Sequence, residues 1–137
     1  MVNRILVPID GSEYAYRALD WALDLAEKYG ADVELLTVIP TTAFAIVGPS
    51  EKHLREYAEK ILEEALNKTK KIKPSLKVSS KILVGRPNEK IVETCKEGNF
   101  DLIVLGSRGL GRVKEFFLGS VADRVADEST CPVVIIK

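Results

Sequence analysis

Glutamine is absent from this 137-residue chain, and histidine, methionine and tryptophan occur once each. The lone His53 excludes a histidine-rich metal site, and with it most zinc chemistry. No Ser–His–Asp set can be assembled around a histidine that sits at the start of a helical segment; an exposed helix position is its expected place. Cysteine is nearly as scarce. Cys95 and Cys131 lie 36 positions apart, with neither CxxC nor metal-ligand spacing. They read as two small apolar residues in a reducing compartment, without a disulfide. Net charge is missing too, because 20 basic and 20 acidic side chains cancel. A protein led to nucleic acid by phosphate attraction carries a basic excess, so that class is disfavoured. No apolar run approaches the ~20 residues that span a bilayer. The opening Met1-Val2-Asn3-Arg4 leads into a short apolar segment without the length or cleavage site of a signal peptide. A cytoplasmic location is the expectation. The lack of glutamine is a weak mark of heat adaptation.

What is present is alternation. Residues 1–137 read as a single domain, 46% hydrophobic and 29% charged, long enough to bury a core without staples. Ile5 to Ile9 is a short apolar run that stops at Asp10-Gly11, the pattern of a strand buried on both faces. From Ser12 to Tyr29, Ala15, Ala18, Leu19, Ala22, Leu23 and Ala26 recur at helical spacing, and Gly30 closes the helix. Val33 to Ile39 reads as a second strand and residues 41–50 as an unusually apolar loop. Glu51 to Lys71 reads as a second helix with Leu54, Tyr57, Ala58, Ile61, Leu62, Ala65 and Leu66 in its stripe. A third strand over Leu76–Val84 comes next, then a helix opened by Pro87, with Ile91, Val92 and Cys95 inward. Asp101–Leu105 is the fourth strand, residues 119–128 the last helix and Pro132–Ile136 the fifth strand. Trp21 and Tyr57 are expected to pack rather than to stack on a ligand.

Strands alternating with helices specify an α/β fold, a five-stranded parallel sheet with helices on both faces. The expected order is 3-2-1-4-5, flavodoxin-like or Rossmann-like. In that order the winding reverses between strands one and four, and ligands bind beyond the carboxyl ends of the strands at that reversal. The residues after Ile9 and after Leu105 are therefore where a site belongs.

After Leu105 comes Gly106-Ser107-Arg108-Gly109-Leu110-Gly111-Arg112-Val113-Lys114-Glu115-Phe116-Phe117-Leu118-Gly119-Ser120. Glycines at 106 and 109 leave main-chain N–H groups open to an anion, and Gly119-Ser120 begins a helix whose first amides are unpaired. Arg108, Arg112 and Lys114 add positive charge. The same glycines also suit tight turns, and Gly119-Ser120 also suits a plain helix cap. Asp10 stands beside this loop, where its carboxylate can accept from ribose hydroxyls or hold magnesium on phosphate. Asp10-x-x-Glu13 equally resembles a capping box, with Asp10 or Ser12 as the cap. A Walker loop, GxxxxGK[ST], does not occur, and Gly106 to Gly111 is not the dinucleotide fingerprint.

Gly106-x2-Gly109-x9-Gly119-Ser120 resembles the nucleotide loop of the universal stress protein family, in its ATP-binding branch. The opening Ile5-Leu6-Val7-Pro8-Ile9-Asp10-Gly11-Ser12 and the ending Ser129-Thr130-Cys131-Pro132-Val133-Val134-Ile135-Ile136 are similar to that family's first and last strands. The resemblance implies that adenine lies against Leu105 and the end of strand two, its edge read by the backbone at Val38. It further implies that Pro8 and Asp10 line the ribose and phosphate side, and that Gly106, Arg108, Gly109, Gly119, Ser120 and Val121 surround the triphosphate. Arg108 stands where many relatives carry histidine, which keeps the attraction for phosphate.

Expected partners are ATP, with magnesium or manganese held at Asp10, and a second copy of the chain. The apolar edge Pro132–Ile136 invites twofold pairing, which the resemblance also implies. Asp10 is the one carboxylate assigned to the phosphates, whereas fast hydrolysis needs another group to orient water; no or slow hydrolysis is the consequence. The leading expectation is a dimeric, ATP-dependent stress-response switch. The alternative is a nucleotide-independent interaction module acting through its dimer surface and loop 41–50. A phosphoacceptor receiver domain shares the strand order but needs an aspartate after strand three, where Val84-Gly85-Arg86 stands.

Overall fold

A computed structural model describes residues 1–43, 51–110 and 118–137. Its strands are β1 (Arg4–Pro8), β2 (Asp32–Pro40), β3 (Val78–Gly85), β4 (Leu102–Gly106) and β5 (Val133–Ile136). Its helices are α1 (Glu13–Tyr29), α2 (Glu51–Ile72), α3 (Pro87–Glu97) and α4 (Ser120–Glu128). The strands form one sheet in the order β3-β2-β1-β4-β5, every pairing parallel. This is the doubly wound arrangement expected from the alternation of short apolar runs with amphipathic helices.

The central strands earn their place by composition. Ile5, Leu6, Val7, Ile103 and Val104 are fully buried, because helices cover both faces of β1 and β4. Removing each such side chain from water contributes about 1.5–3 kcal/mol. One core layer joins Ile5, Val7 and Leu35 to α1 and α2 through Ala18, Leu19, Ala22, Ile61 and Ala65. The other joins Leu6, Leu36 and Ile103 to α3 and α4 through Ile91, Cys95, Ala122 and Val125. No helix among the described residues is long and apolar enough to cross a membrane.

Several boundaries move from the sequence expectation, each for a local reason. Leu76 donates its N–H to the Lys73 carbonyl across Pro74, a β-turn that holds residues 74–76 out of the sheet until Val78. Residues 41–43 are helical where a loop was expected, and the remainder of that loop, 44–50, lies outside the described residues. Trp21 and Tyr57 do not pack as expected. They are 57% and 59% exposed, since each falls beside, not within, its helix's buried stripe. His53 is exposed, as expected of a helix-start residue.

Candidate functional site: a cleft at the winding reversal

Between β1 and β4 the chain leaves the sheet in opposite directions, α1 to one face and the β4–α4 crossover to the other. A cleft of about 930 Å³ opens there, within the range usual for small-molecule sites. All ten residues singled out from the sequence line it: Pro8, Asp10, Val38, Leu105, Gly106, Arg108, Gly109, Gly119, Ser120 and Val121. The topology brings these together from four separate stretches of chain. Arg112 and Lys114, the other two cations assigned to the loop, lie outside the described residues.

One wall is the end of β2. Ile9 donates its N–H to the Leu36 carbonyl at 2.8 Å, the last backbone rung between β1 and β2. In a parallel strand a residue turns its N–H and C=O to the same neighbour, and alternate residues turn the same way. Val38 therefore directs its backbone groups toward the β1 side, beyond the point where β1 stops. The Thr37 hydroxyl donates to the Ile9 carbonyl at 2.8 Å, satisfying the end of β1 from the side. Thr37 was not anticipated; its only signal is a buried hydroxyl near the carboxyl end of an apolar strand.

Asp10 and Ser12 divide the two roles left open by the sequence. Ser12 is the cap of α1, its Oγ accepting from the Ala15 N–H at 3.1 Å. Asp10 Oδ1 accepts from the Ser12 N–H at 2.9 Å, across Gly11 in a left-handed conformation with φ 86°. The second oxygen, Oδ2, faces Gly109: a Cβ built on that glycine would sit 2.6 Å from it. The missing side chain at 109 thus makes room for a carboxylate and whatever that carboxylate holds.

The other glycines of the pattern do something different from what their spacing suggested. A Cβ at Gly106 would lie 2.7–2.9 Å from Tyr14 Cβ, carbonyl carbon and oxygen, so this glycine lets β4 press against the start of α1. A Cβ at Gly119 would face Arg108 Cα at 3.2 Å and the Ser107 carbonyl at 3.3 Å. Gly119 also gives its N–H to that carbonyl at 2.6 Å, which pins the two feet of the crossover together. Buried Ser107, missed in the sequence, is the anchor; its own N–H donates to Ile136 in β5 at 2.7 Å.

The first α4 ladder bond runs from Asp123 N–H to the Gly119 carbonyl at 2.9 Å. The amides of Ser120, Val121 and Ala122 precede it at the positive end of the helix dipole, and Gly119 has no side chain to cap them. All three residues line the cleft. Asp123 lines it too, a second carboxylate at the site that the sequence reading did not assign. Leu36, Ile61, Ile91 and Leu105 give the cleft apolar walls, and exposed Tyr57 also lines it. The cleft combines helix-start amides with apolar walls, a pairing that suits a phosphorylated ligand with a flat organic part.

Comparison with known proteins agrees. The universal stress protein family matches over residues 1–137. The chain belongs to the universal stress protein family. Universal stress protein YxiE of Bacillus subtilis is 34% identical, with all of both chains covered. The solved universal stress protein UspA from Lactobacillus plantarum superposes with a TM-score of 0.84 at 26% identity, covering 98% of this chain and 97% of that one. A universal stress protein crystallised in complex with cAMP superposes with a TM-score of 0.77 at 26% identity, covering 98% and 97%. A universal stress protein fold is thus present from end to end, and at least one relative of this shape binds an adenine nucleotide.

Proposed function

We propose that this universal stress protein is a regulatory switch that binds ATP in the cleft at the winding reversal. The single observation that carries the reading is the convergence of the Ser120, Val121 and Ala122 amides, the Asp10 carboxylate and the β1-facing end of β2 on one cleft. The phosphate chain lies over the α4 N-terminus, where Arg108 and the amides oppose its charge. Adenine lies against the apolar walls, with its polar edge on the Val38 backbone and one face against Leu105. Pro8 and Asp10 border the ribose. The relative crystallised in complex with cAMP supports a nucleotide as the ligand.

Asp10 fits a magnesium ion that arrives with the nucleotide. Such ions bind through one or two carboxylates together with phosphate oxygens, and Asp10 Oδ2 faces the gap left by Gly109. When bound, the ion neutralises phosphate charge. Asp10 itself orients the ribose and phosphate side, and its Oδ1, tied to the Ser12 amide, fixes the angle of the carboxylate.

A homodimer through Pro132–Ile136 belongs to the same reading. Val133 to Ile136 are all only half-buried, an apolar strand at the open edge of the sheet, and such edges pair or are covered. Ser107, beside the cleft residues Gly106 and Arg108, donates its N–H to Ile136 of that edge strand, which links the cleft to the edge.

Isothermal titration of nucleotide-free protein with Mg-ATP tests the proposal. A one-to-one binding isotherm is expected. No heat and no thermal shift at millimolar ATP would overturn it and leave the nucleotide-independent interaction module in its place.

A further inference from the structure

We propose that Cys95 and Cys131 form an oxidisable dithiol, which a peroxide converts into an intrachain disulfide joining the last turn of α3 to the loop that enters β5. This does not depend on the nucleotide reading, since neither residue lines the cleft.

The fold closes the 36-residue gap that made the pair look unrelated. Cys95 Sγ and Cys131 Sγ are 2.7 Å apart, both as free thiols. That is about 0.7 Å beyond the ~2.05 Å of a sulfur–sulfur bond, so closure needs little backbone movement. The two sulfurs differ in setting. Cys95 is 2% exposed, touches the Phe100 carbonyl and packs in the α3–α4 core layer. Burial and the neighbouring Cys131 sulfur push its pKa up to about 12, so it remains a thiol at neutral pH. Cys131 is half-buried, and Ser129 fixes its backbone. The Ser129 Oγ accepts from the Cys131 N–H at 3.2 Å and donates to its carbonyl at 2.8 Å. An oxidant from solvent therefore meets Cys131 first, with Cys95 behind it as the resolving thiol.

The chemistry balances with hydrogen peroxide as the oxidant. The Cys131 thiol gives up its proton and its sulfur attacks one peroxide oxygen; the O–O bond breaks, Cys131 becomes a sulfenic acid, and the other oxygen leaves as hydroxide that takes up the released proton to form water. Cys95 sulfur then attacks Cys131 sulfur. The S–S bond forms, the S–O bond breaks, and the hydroxyl leaves as a second water carrying the Cys95 proton. Two thiols lose two electrons and two hydrogens to one peroxide. The resulting ring encloses β4, the crossover and α4, removing chain entropy from the unfolded state and raising the melting temperature by about 10 °C.

The experiment exposes fully reduced wild-type protein to stoichiometric hydrogen peroxide, followed by intact mass and a non-reducing peptide map. The expected result is loss of two hydrogens, one linked peptide pair containing Cys95 and Cys131, and a rise in melting temperature that dithiothreitol reverses. In Cys95→Ser the same treatment should leave a Cys131 sulfenic acid that dimedone traps; in Cys131→Ser, Cys95 should stay unmodified. Oxygen addition without the linked peptide, a disulfide between two chains, or thiols that survive the treatment would each overturn the proposal. The wild-type map decides this even if a variant fails to fold.

Discussion

At the amino end of the sheet, Arg4 lies over the Phe100 ring at 4.2 Å, donates to the Gly98 carbonyl and pairs with Glu34 at 3.5 Å. Beside it, Asp101 Oδ2 accepts from the Asn3 and Arg4 amides at 2.7 and 2.9 Å. Strand ends there are finished by the protein's own side chains. At the carboxyl end the helix amides of Ser120 to Ala122 and the Val38 backbone face a cleft instead. Both ends belong to the same strands, so the contrast arises from the residues that flank each strand. Charged and aromatic residues occupy backbone groups at the amino end, around a hollow of about 350 Å³; at the other end Gly119 leaves the first α4 amides without a side-chain cap. The larger cleft, about 930 Å³, lies at the carboxyl end.

The comparison breaks most visibly at Gly106. Gly106→Ala places a Cβ against the Tyr14 backbone, which cannot yield without moving α1, and overpacking of this kind costs about 2–3 kcal/mol. A lowered urea midpoint is the expected outcome. An unchanged midpoint would show that β4 and α1 do not need their close approach. Gly109→Ala sharpens the contrast from the other side. Its Cβ meets only the Asp10 carboxylate, a side-chain end that can swing. Stability should hold while Mg-ATP affinity falls about tenfold, or ~1.4 kcal/mol, by calorimetry; equal affinity would remove Asp10 from the site.

The smallest effect belongs to the amino end. Hydrogen bonds from the Asn3 and Arg4 amides hold the Asp101 carboxyl below the ordinary 3.8. A depressed folded value means that the stabilisation is complete above the ordinary value and disappears as pH falls through the lower one. Melting temperature should drop on acidification across that window, and Asp101→Asn should flatten this part of the profile. A variant with the wild-type acid slope would show that the carboxylate is not the group responsible.

Much of this was legible along the chain because it depends on local pattern. The apolar runs at 5–9 and 101–105, separated by stripes of period 3.6, determined the alternation and hence the winding. The winding pointed to the same end of the sheet as the cleft, and the ten residues expected to contact nucleotide lie on its walls, while Arg112 and Lys114 fall outside the described residues. Other features depend on which distant segments meet. Spacing alone could not show that Gly106 accommodates Tyr14 while Gly109 accommodates Asp10, since a glycine looks the same in either role. Tyr57 fits a loose helical stripe, but the stripe that α2 buries runs through Ala58, Ile61, Leu62 and Ala65 and leaves it outside. Cys95 and Cys131 looked independent because no local rule links the end of α3 to the start of β5.

The sequence by itself determined the order of strands and helices, most of the face that each helix buries and the two loops that border the cleft. Hydrophobic periodicity and turn chemistry act over a few residues, and so can be read from them. Tertiary structure decided which residues at the start of α4 line the cleft, which glycine meets a carboxylate and which two thiols touch. These are contacts between elements far apart in the chain, and they come into being only when the sheet closes its register and the helices settle on it.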